Sequence, residues 1–349
     1  MRLEPRAAVP WWLALSAPLA AAAVSFLLAS VLIVWSGESV ARGFAAIATG
    51  AFGSTFALTE TLARAIPLTL TGLAAALAFR ARFWNIGAEG QLYAGALAAT
   101  ALGTGLVDAP PALMLPLLLG AGAAAGAAAT VLPWFLKARL AVDEVVTTLL
   151  LNFVILLFVG YCLEGPLKDP MSLGWPQAAP IVDAGLLPPL VPRTRLHAGL
   201  VVALVAALVV WAVLRWSAFG FRLRALGLNP DAARHAGVSP ARTLLFVALG
   251  SGALAGLAGV SEVAGLKGYL TLDLSPGFGY TGIAVAMLAN LNPLGTVAAA
   301  TFVAALSVGA DAMGRSLDVP SSIADIMVAS ATLAVLAGLL LTRYRVRRR

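Results

Sequence analysis

From Leu274 to Ala310 the chain reads LSPGFGYTGIAVAMLANLNPLGTVAAATFVAALSVGA, a run without a single Lys, Arg, Asp or Glu. A membrane-spanning helix takes about 20 apolar residues, so this run is too long for one helix. Within it, the stretch from Ala289 to Gly295, ANLNPLG, contains Asn, Pro and Gly, which favour turns. We therefore expect two adjacent membrane-spanning helices with a turn between them.

The whole chain has the composition of a protein that lies in lipid. Of its 349 residues, 60% are hydrophobic and 11% are charged, whereas soluble domains carry about 25% charged residues. The mean hydropathy is +0.93. A single cysteine, Cys162, excludes an internal disulfide. The net charge of +7 comes from arginines at the ends of apolar runs, which favours membrane orientation over nucleic-acid binding.

The apolar runs predict an all-α polytopic membrane protein with about ten transmembrane helices in one domain, residues 1–349. The predicted spans are 11–35, 58–79, 88–107, 111–136, 145–163, 197–214, 243–264, two within 274–310, and 322–342. The first run exceeds the apolar core of a signal peptide, about 7–15 residues, so we expect an uncleaved helix. The Gly- and Ala-rich stretches 120–129 and 250–259 predict close helix packing.

The distribution of positive charge predicts the orientation. With the N-terminus inside, 16 of the 23 Lys and Arg residues fall in cytoplasmic segments and 7 fall outside, in agreement with the positive-inside rule. Both termini are then cytoplasmic. The proline-rich loop 164–195 is extracytoplasmic, and the loop 215–242 is cytoplasmic.

The segment 83–93, FWNIGAEGQLY, joins the second and third predicted spans and contains Asn85, Glu89, Gln91 and Tyr93. A carboxylate inside a membrane costs about 2.5–3.5 kcal/mol, and irregular backbone there must line a cavity or be covered by protein. One interpretation is a broken helix that lines a translocation path. The alternative is a cytoplasmic turn that caps two helices, with Glu89 favoured by the helix dipole.

A second polar segment, 265–286, contains Tyr280 and Thr281 and lies five spans further on, in the opposite orientation. This placement is typical of two inverted repeats, here 58–163 and 243–342, with interrupted segments that face each other. The hypothesis rests on position alone, and a loop without a pathway role remains the alternative. Asn152 in the fifth span either lines the path or bonds a neighbouring helix.

The loop 215–242 contains a short capped helix. Asn229 is an N-cap residue, Pro230 suits the first helical position, Asp231 complements the dipole, and Gly237 suits the C-terminus. Such a helix at the membrane surface fits a docking site for a cytoplasmic partner. The alternative is a surface helix that rests on lipid headgroups through its arginines.

The sequence contains no recognisable catalytic or cofactor site. None of Lys137, Lys168 or Lys267 follows a glycine, so the Gly-Lys-Ser/Thr phosphate loop is absent. No hydrolase triad and no Cys/His metal cluster is visible, so we expect a transport subunit without a metal or bound cofactor. A secondary transporter or channel is the alternative, but most spans lack the coupling charges that it needs. A membrane-embedded enzyme would need converging catalytic groups.

Several ordered blocks resemble the permeases of the branched-chain amino acid and simple-sugar class of ABC importers, and within them the nucleoside importers. The blocks are FWNIGAEGQ (83–91), GPLKDP (165–170), GLNPDAARHAG (227–237), SGALAGLAG (251–259), GYTGIAVA (279–286) and NPLG (292–295). They occur in the matching order over about residues 60–310. Trp84 is bulkier than the residue expected there.

The resemblance implies a permease that moves nucleosides inward by alternating access in a bacterial inner membrane. A separate cytoplasmic ATPase would use the ATP and dock on the short helix. The docking residues would be Gly227, Asn229, Asp231, Ala232, Ala233, Arg234 and Gly237. A second permease, related or identical, and an extracytoplasmic substrate-binding lipoprotein would complete the importer, and membrane lipid would surround it. A permease for simple sugars remains an alternative.

Overall fold

The computed structural model of the chain describes residues 2–5, 23–24, 26–107, 109–317, 319–320, 322–323, 325–330, 333–334, 337 and 344–347. The chain divides into two compact units, one made of Met1–Thr61 with Phe302–Arg349 and the other of Leu62–Thr301. All the residues of the candidate site belong to the unit Leu62–Thr301.

The regular elements among the described residues are helices, apart from a short antiparallel ribbon of β1 (Arg2–Pro5) and β2 (Tyr344–Arg347). The helices of the first half are α1 (Phe26–Trp35), α2 (Val40–Phe52), α3 (Thr55–Arg80), α4 (Ala88–Ala101), α5 (Pro111–Ala129), α6 (Val131–Leu140) and α7 (Glu144–Glu164). Those of the second half are α8 (Gly199–Trp216), α9 (Ala218–Leu228), α10 (Pro230–His235), α11 (Pro240–Glu262), α12 (Phe278–Leu288) and α13 (Pro293–Leu317).

Among the described residues, six helices are long and apolar enough to cross a membrane, or seven if α1 and α2 form one bent span. Five of the six agree with predicted spans to within a few residues, whereas α13 extends to Leu317, seven residues beyond the predicted run 274–310, which was ended at the charged Asp311. The predicted third and eighth spans correspond to α4 and α12, which have only 14 and 11 residues. Parts of the predicted spans 11–35 and 322–342 lie outside the described residues, so ten spans and inverted repeats stay predictions.

Helix α2 has no counterpart among the predicted spans. It follows α1 after a bend of 114°, and Gly37 in the break has a φ of 87°, which favours glycine. The Ser39 side chain accepts a hydrogen bond from the backbone N–H of Arg42 and caps α2. Because α2 has only 13 residues, its sequence is too short to indicate a span.

Burial separates helices that have similar composition. In α3, 89% of an 18-residue apolar stretch is buried, whereas in α7 and in α8 only 22% of the corresponding stretch is buried. This difference is found although α3 is the less apolar helix. Large apolar side chains of α7, including Leu150, Phe153 and Leu157, are more than half exposed. In a bilayer this exposure favours contact with lipid, so α3 forms the centre of the bundle and α7 and α8 its outside.

Helices α4, α5 and α11 pack backbone against backbone. A Cβ on Gly256 would overlap the carbonyl oxygen of Gly122, and one on Gly252 would overlap that of Gly126. On α4, a Cβ on Gly95 would overlap Gly256. Glycine is therefore required at these positions by close approach, as the small-residue stretches 120–129 and 250–259 predict.

The loop 164–195 contains no long helix, as its prolines predict. A three-residue helical turn, Asp183–Gly185, is its regular element. Isolated antiparallel pairs join Lys168 to Ala178 and Gln177 to Thr271. The second pair attaches the loop to the segment that precedes α12.

Candidate functional site

The connection between α3 and α4 is held by an amide pair. The Asn85 side chain donates to Gln91 Oε1 at 2.9 Å and accepts from Gln91 Nε2 at 2.8 Å. It also donates to the Ser251 hydroxyl at 2.9 Å and accepts from the backbone of Gly87 at 3.0 Å. Every polar atom of the buried Asn85 amide thus has a protein partner.

Asn152 of α7 attaches α7 to the same connection. Its Oδ1 accepts from the backbone N–H of Gly90 at 2.8 Å, and its Nδ2 donates to the carbonyl of Ile86 at 3.0 Å. The same Nδ2 donates to the Tyr280 hydroxyl at 3.1 Å. One amide therefore joins α7, the start of α4 and the start of α12.

Glu89 bridges α4 to α12. Its Oε2 accepts a hydrogen bond from the backbone N–H of Gly279 at 2.6 Å, and its carboxylate also interacts with the side chain of Ser275. The Ser275 hydroxyl in turn accepts from the backbone of Gly277 and Phe278, at 3.1 and 2.8 Å. The carboxylate therefore lies at the helix N-terminus, where negative charge is favoured.

Tyr93 makes the last contact between the segments. Its hydroxyl donates to the Leu272 carbonyl at 2.6 Å and accepts from the Ser275 backbone N–H at 3.1 Å. A Cβ on Gly279 would overlap the backbone of Glu89, so the two chains approach closely. The structure thus brings the segments 83–93 and 265–286 together.

The seven predicted pathway residues differ in exposure. Asn85, Glu89, Gln91, Tyr93 and Asn152 are all at most 4% exposed. Tyr280 is 40% exposed, and Thr281 is half-buried. Five of the seven are therefore covered by protein, whereas the two with exposed surface, Tyr280 and Thr281, lie in the first turn of α12.

Three supporting residues were not identified from the sequence. Ser251 donates to the Ala74 carbonyl at 2.8 Å, the Thr148 hydroxyl accepts from the backbone of Ile86 at 3.1 Å, and Glu144 accepts from the backbone of Trp84 at 3.2 Å. Ser and Thr in an apolar helix commonly bond their own backbone, so their sequence carries no signal of these longer-range partners.

Trp84 is accommodated despite its size. Its ring packs on that of Phe79 with centroids 4.8 Å apart, and 44% of the residue is exposed. Its backbone N–H reaches Glu144, which also forms an ion pair with Lys137. The bulk of Trp84 therefore lies at the surface rather than in the Asn85 connection.

The loop 215–242 forms α9 and the predicted short helix α10. The Asn229 side chain accepts from the backbone N–H groups of Asp231 and Ala232, each at 3.0 Å, so it caps α10. Gly237 has a φ of 82° after the last turn. The predicted docking residues Gly227, Asn229, Asp231, Ala232, Ala233, Arg234 and Gly237 therefore lie on or beside one helix. Of the residues of α10 among them, Asp231, Ala232 and Arg234 are exposed, whereas Ala233 is buried.

The described residues contain no group of three or more His, Cys, Asp or Glu side chains able to hold a metal ion. The geometry is that of a helical bundle with a fixed polar junction and a capped surface helix. Residues 57–342 match the family described as the permease component of the branched-chain amino acid transport system. The chain belongs to this family. The permease is thus a multi-pass membrane protein and a non-enzymatic subunit of an ABC importer.

Curated relatives match over nearly their whole length. The chain is 38% identical to the guanosine ABC transporter permease protein NupP of Bacillus subtilis, over 91% of this chain and 92% of NupP. It is 36% identical to the glucose ABC transporter permease protein TsgB13 of Haloferax volcanii, over 99% and 93%. It is 31% identical to the nucleoside permease NupB of Lactococcus lactis subsp. cremoris, over 90% and 88%.

Among solved structures, the permease is similar to PsaBC from Streptococcus pneumoniae in complex with Fab. The match covers 85% of this chain and 95% of the other, with 12% identity and a TM-score of 0.48.

Proposed function

We propose that the permease moves nucleosides into the cell as one membrane half of an ATP-driven importer. The observation that carries this proposal is the similarity to NupP and NupB, named for guanosine and nucleosides, along about nine-tenths of the chain. The ordered blocks from residue 83 to residue 295 support it. Transport would proceed by alternating access, in which ATP binding in a partner chain rocks two permeases around a central path.

The solute would meet the start of α12. Tyr280 presents an exposed ring whose hydroxyl is held by Asn152, and a positioned aromatic ring can stack on a nucleobase. Thr281 adds a half-buried hydroxyl. The buried residues would belong to the pathway in a different sense. Glu89 holds the start of α12, whereas Asn85 and Gln91 hold the connection between α3 and α4.

A sugar is the second candidate solute. TsgB13, named for glucose, is 36% identical over 99% of this chain, and sugars also pack on aromatic rings. An exposed tyrosine and a threonine therefore do not by themselves discriminate between a nucleoside and a hexose. An uptake measurement distinguishes the two solutes.

The partners would be a cytoplasmic ATPase, a second permease and an extracytoplasmic substrate-binding lipoprotein. The exposed side of α10 supports the ATPase site, and beside it Leu228 is 79% exposed and Phe221 is 64% exposed. Apolar side chains of this size at a surface favour a protein contact. The pairing of β1 with β2 brings the two chain ends together, which supports placing both termini on the same side of a bacterial inner membrane. The arginines at both ends favour the cytoplasmic side.

Uptake by cells that lack the chain tests the proposal. Labelled guanosine and labelled glucose are supplied in turn, with and without the reintroduced gene, and with and without depletion of cellular ATP. We expect the gene to restore guanosine uptake only when ATP is present. Restored glucose uptake would identify a sugar, rather than a nucleoside, as the transported solute. Uptake that persists without ATP would overturn the ABC mechanism.

A pair of tyrosine variants tests the site. Tyr280→Ala should reduce uptake about tenfold, the loss expected for an aromatic contact worth about 1.4 kcal/mol. Tyr161→Ala is the matched control, because Tyr161 is 68% exposed on α7, away from the polar junction. Normal uptake by Tyr280→Ala, or an equal loss in both variants, would remove Tyr280 from the pathway.

A further inference from the structure

Arg80, the last residue of α3, contacts the turn between α12 and α13. Its Nε donates to the carbonyl oxygen of Leu291 at 2.9 Å. The turn itself is unusual, because Asn290 and Leu291 have φ values of 49° and 58°, in the left-handed region that residues with side chains seldom adopt. The guanidinium therefore stabilises a carbonyl presented by a strained turn.

The backbone of the same residue contacts α9. A Cβ on Gly227 would overlap the carbonyl oxygen of Arg80, and it would lie 3.6 Å from the Cα of Ala81. No side chain lies between these two backbones. Gly227 precedes by two residues Asn229, the N-cap of α10. A displacement of α10 would therefore reach the end of α3 directly.

A second positive charge, that of Arg224, lies near this contact. The guanidinium of Arg224, on α9, lies close enough to Arg80 for electrostatic repulsion, and it donates to the carbonyl of Leu214. Two nearby guanidinium groups repel each other, more strongly when partly buried. Their positions are therefore coupled, because moving α9 changes the repulsion felt by Arg80.

On the far side of the turn, α12 is short and stiff. It has 11 residues, which is about 16 Å of helix, and its first turn carries Tyr280 and Thr281. Leu291 lies three residues beyond the end of α12. A force on Leu291 would act on the last turn of α12 and would move the first turn with it, because the helix behaves as one rigid body.

We propose that Arg80 is the positioning residue that couples α10 to α12. Through its backbone it follows the surface helix, and through its guanidinium it holds the turn that ends α12. This inference rests on the proposed function, because it assumes that an ATPase docks on α10. Coupling of this kind travels through contiguous packed elements and needs a direct measurement.

The test uses the complete importer in proteoliposomes, with ATP hydrolysis and solute uptake measured on the same sample. Arg80→Gln removes the charge and the Nε donor, and Arg80→Lys keeps a cation that can still reach the carbonyl. Arg82→Gln is the matched control, since Arg82 is exposed two residues further on. We expect Arg80→Gln to lower uptake per ATP hydrolysed about tenfold, Arg80→Lys to lower it less, and Arg82→Gln to match the unmodified chain.

The two activities distinguish coupling from a structural role. An unchanged ratio of uptake to hydrolysis in Arg80→Gln would overturn the inference, and so would a parallel loss of both activities in correctly assembled complexes. If Arg80→Gln fails to assemble, Arg80→Met takes its place, because methionine keeps the length of the side chain without a donor for the Leu291 carbonyl. An unchanged ratio in assembled complexes of that variant contradicts the inference. An unmodified importer without ATP-dependent uptake would overturn the proposed function instead.

Discussion

The carboxylate of Glu89 accepts a hydrogen bond of 2.6 Å from the backbone N–H of Gly279, although the two residues lie 190 positions apart in the chain. This contact connects the first turn of α4 to the N-terminus of α12. It places a carboxylate within the bundle, where it complements the free N–H groups of a helix start. A residue with the chemistry of a binding group is therefore used to join two helices.

Glu89→Ala should lower uptake about tenfold while leaving the protein in the membrane. The change removes a charge-assisted hydrogen bond worth about 1.5–3 kcal/mol and frees the start of α12. Glu89→Gln keeps an acceptor oxygen and should lose less. Glu164→Ala is the control, because Glu164 is exposed at the end of α7. Uptake and the amount of protein in the membrane are measured together, and normal uptake by Glu89→Ala would contradict the prediction.

Asn152→Ala should destabilise the folded protein by about 3 kcal/mol, because it leaves the Gly90 N–H and the Ile86 carbonyl without their side-chain partner in a buried site. It also releases the Tyr280 hydroxyl. Thermal unfolding of detergent-solubilised protein measures the change. Leu150→Ala, on the exposed side of the same helix, should shift the unfolding temperature much less, and equal shifts would argue against the bridging role.

Gly256→Ala should reduce the folded yield, because its Cβ would overlap backbone atoms of α5 that have no room to move. Overpacking of this kind costs about 1–3 kcal/mol. Gly120→Ala on α5 is the matched control, since nothing lies within 4 Å of its added Cβ. Size-exclusion chromatography compares the monodisperse fractions. Equal yields from the two variants would mean that α5 and α11 can separate without penalty.

Asn229→Ala should weaken the binding of the ATPase to the permease. Loss of an N-cap costs about 1 kcal/mol, so α10 would fray at the end that joins α9. Asn229→Asp keeps an oxygen acceptor and should behave like the unmodified chain. Copurification with the ATPase gives the readout. If the alanine variant copurifies with the full amount of ATPase, the Asn229 cap does not contribute to docking.

His197 predicts a pH dependence of stability. It lies in the loop before α8, only 3% exposed, and its Nδ1 accepts from the backbone N–H of Gly199 at 3.2 Å. Burial lowers the pKa of His197 to about 4, from an ordinary value of 6.5. The folded state therefore holds the neutral ring. Stability from this group is complete above pH 6.5 and is lost as the pH falls towards 4, because the unfolded chain binds the proton more tightly.

At pH 5 the loss should amount to about 2 kcal/mol. His197→Asn keeps an acceptor near the Gly199 N–H and does not titrate in this range, so its stability should change less between pH 7.5 and pH 5. Unfolding temperatures at the two pH values give the comparison. Identical pH profiles for the two proteins would show that His197 does not set the response.

Several features could be predicted from the sequence because their causes are local. The length of an apolar run predicted α3 and α7 to within a few residues, since a bilayer sets the length of a helix. The residues Asn229 and Pro230 predicted the start of α10, because a cap and a first-turn proline act on their own helix. The membership of the permease family followed from blocks quoted in order along the chain.

The tertiary structure decided what the polar residues do. Nothing in the sequence pairs Asn85 with Ser251 or Glu89 with Gly279, because the atoms meet through helix packing and not through spacing along the chain. Hydropathy could not separate the central helix α3 from the outer helix α7, because both helices are apolar. Only the packing shows which helix is surrounded by protein and which one faces lipid. The sequence by itself determined which long segments are apolar enough to span a membrane and where several helices begin. The three-dimensional packing determined that five of the seven predicted pathway side chains are buried and satisfied, and that Tyr280 and Thr281 remain partly exposed.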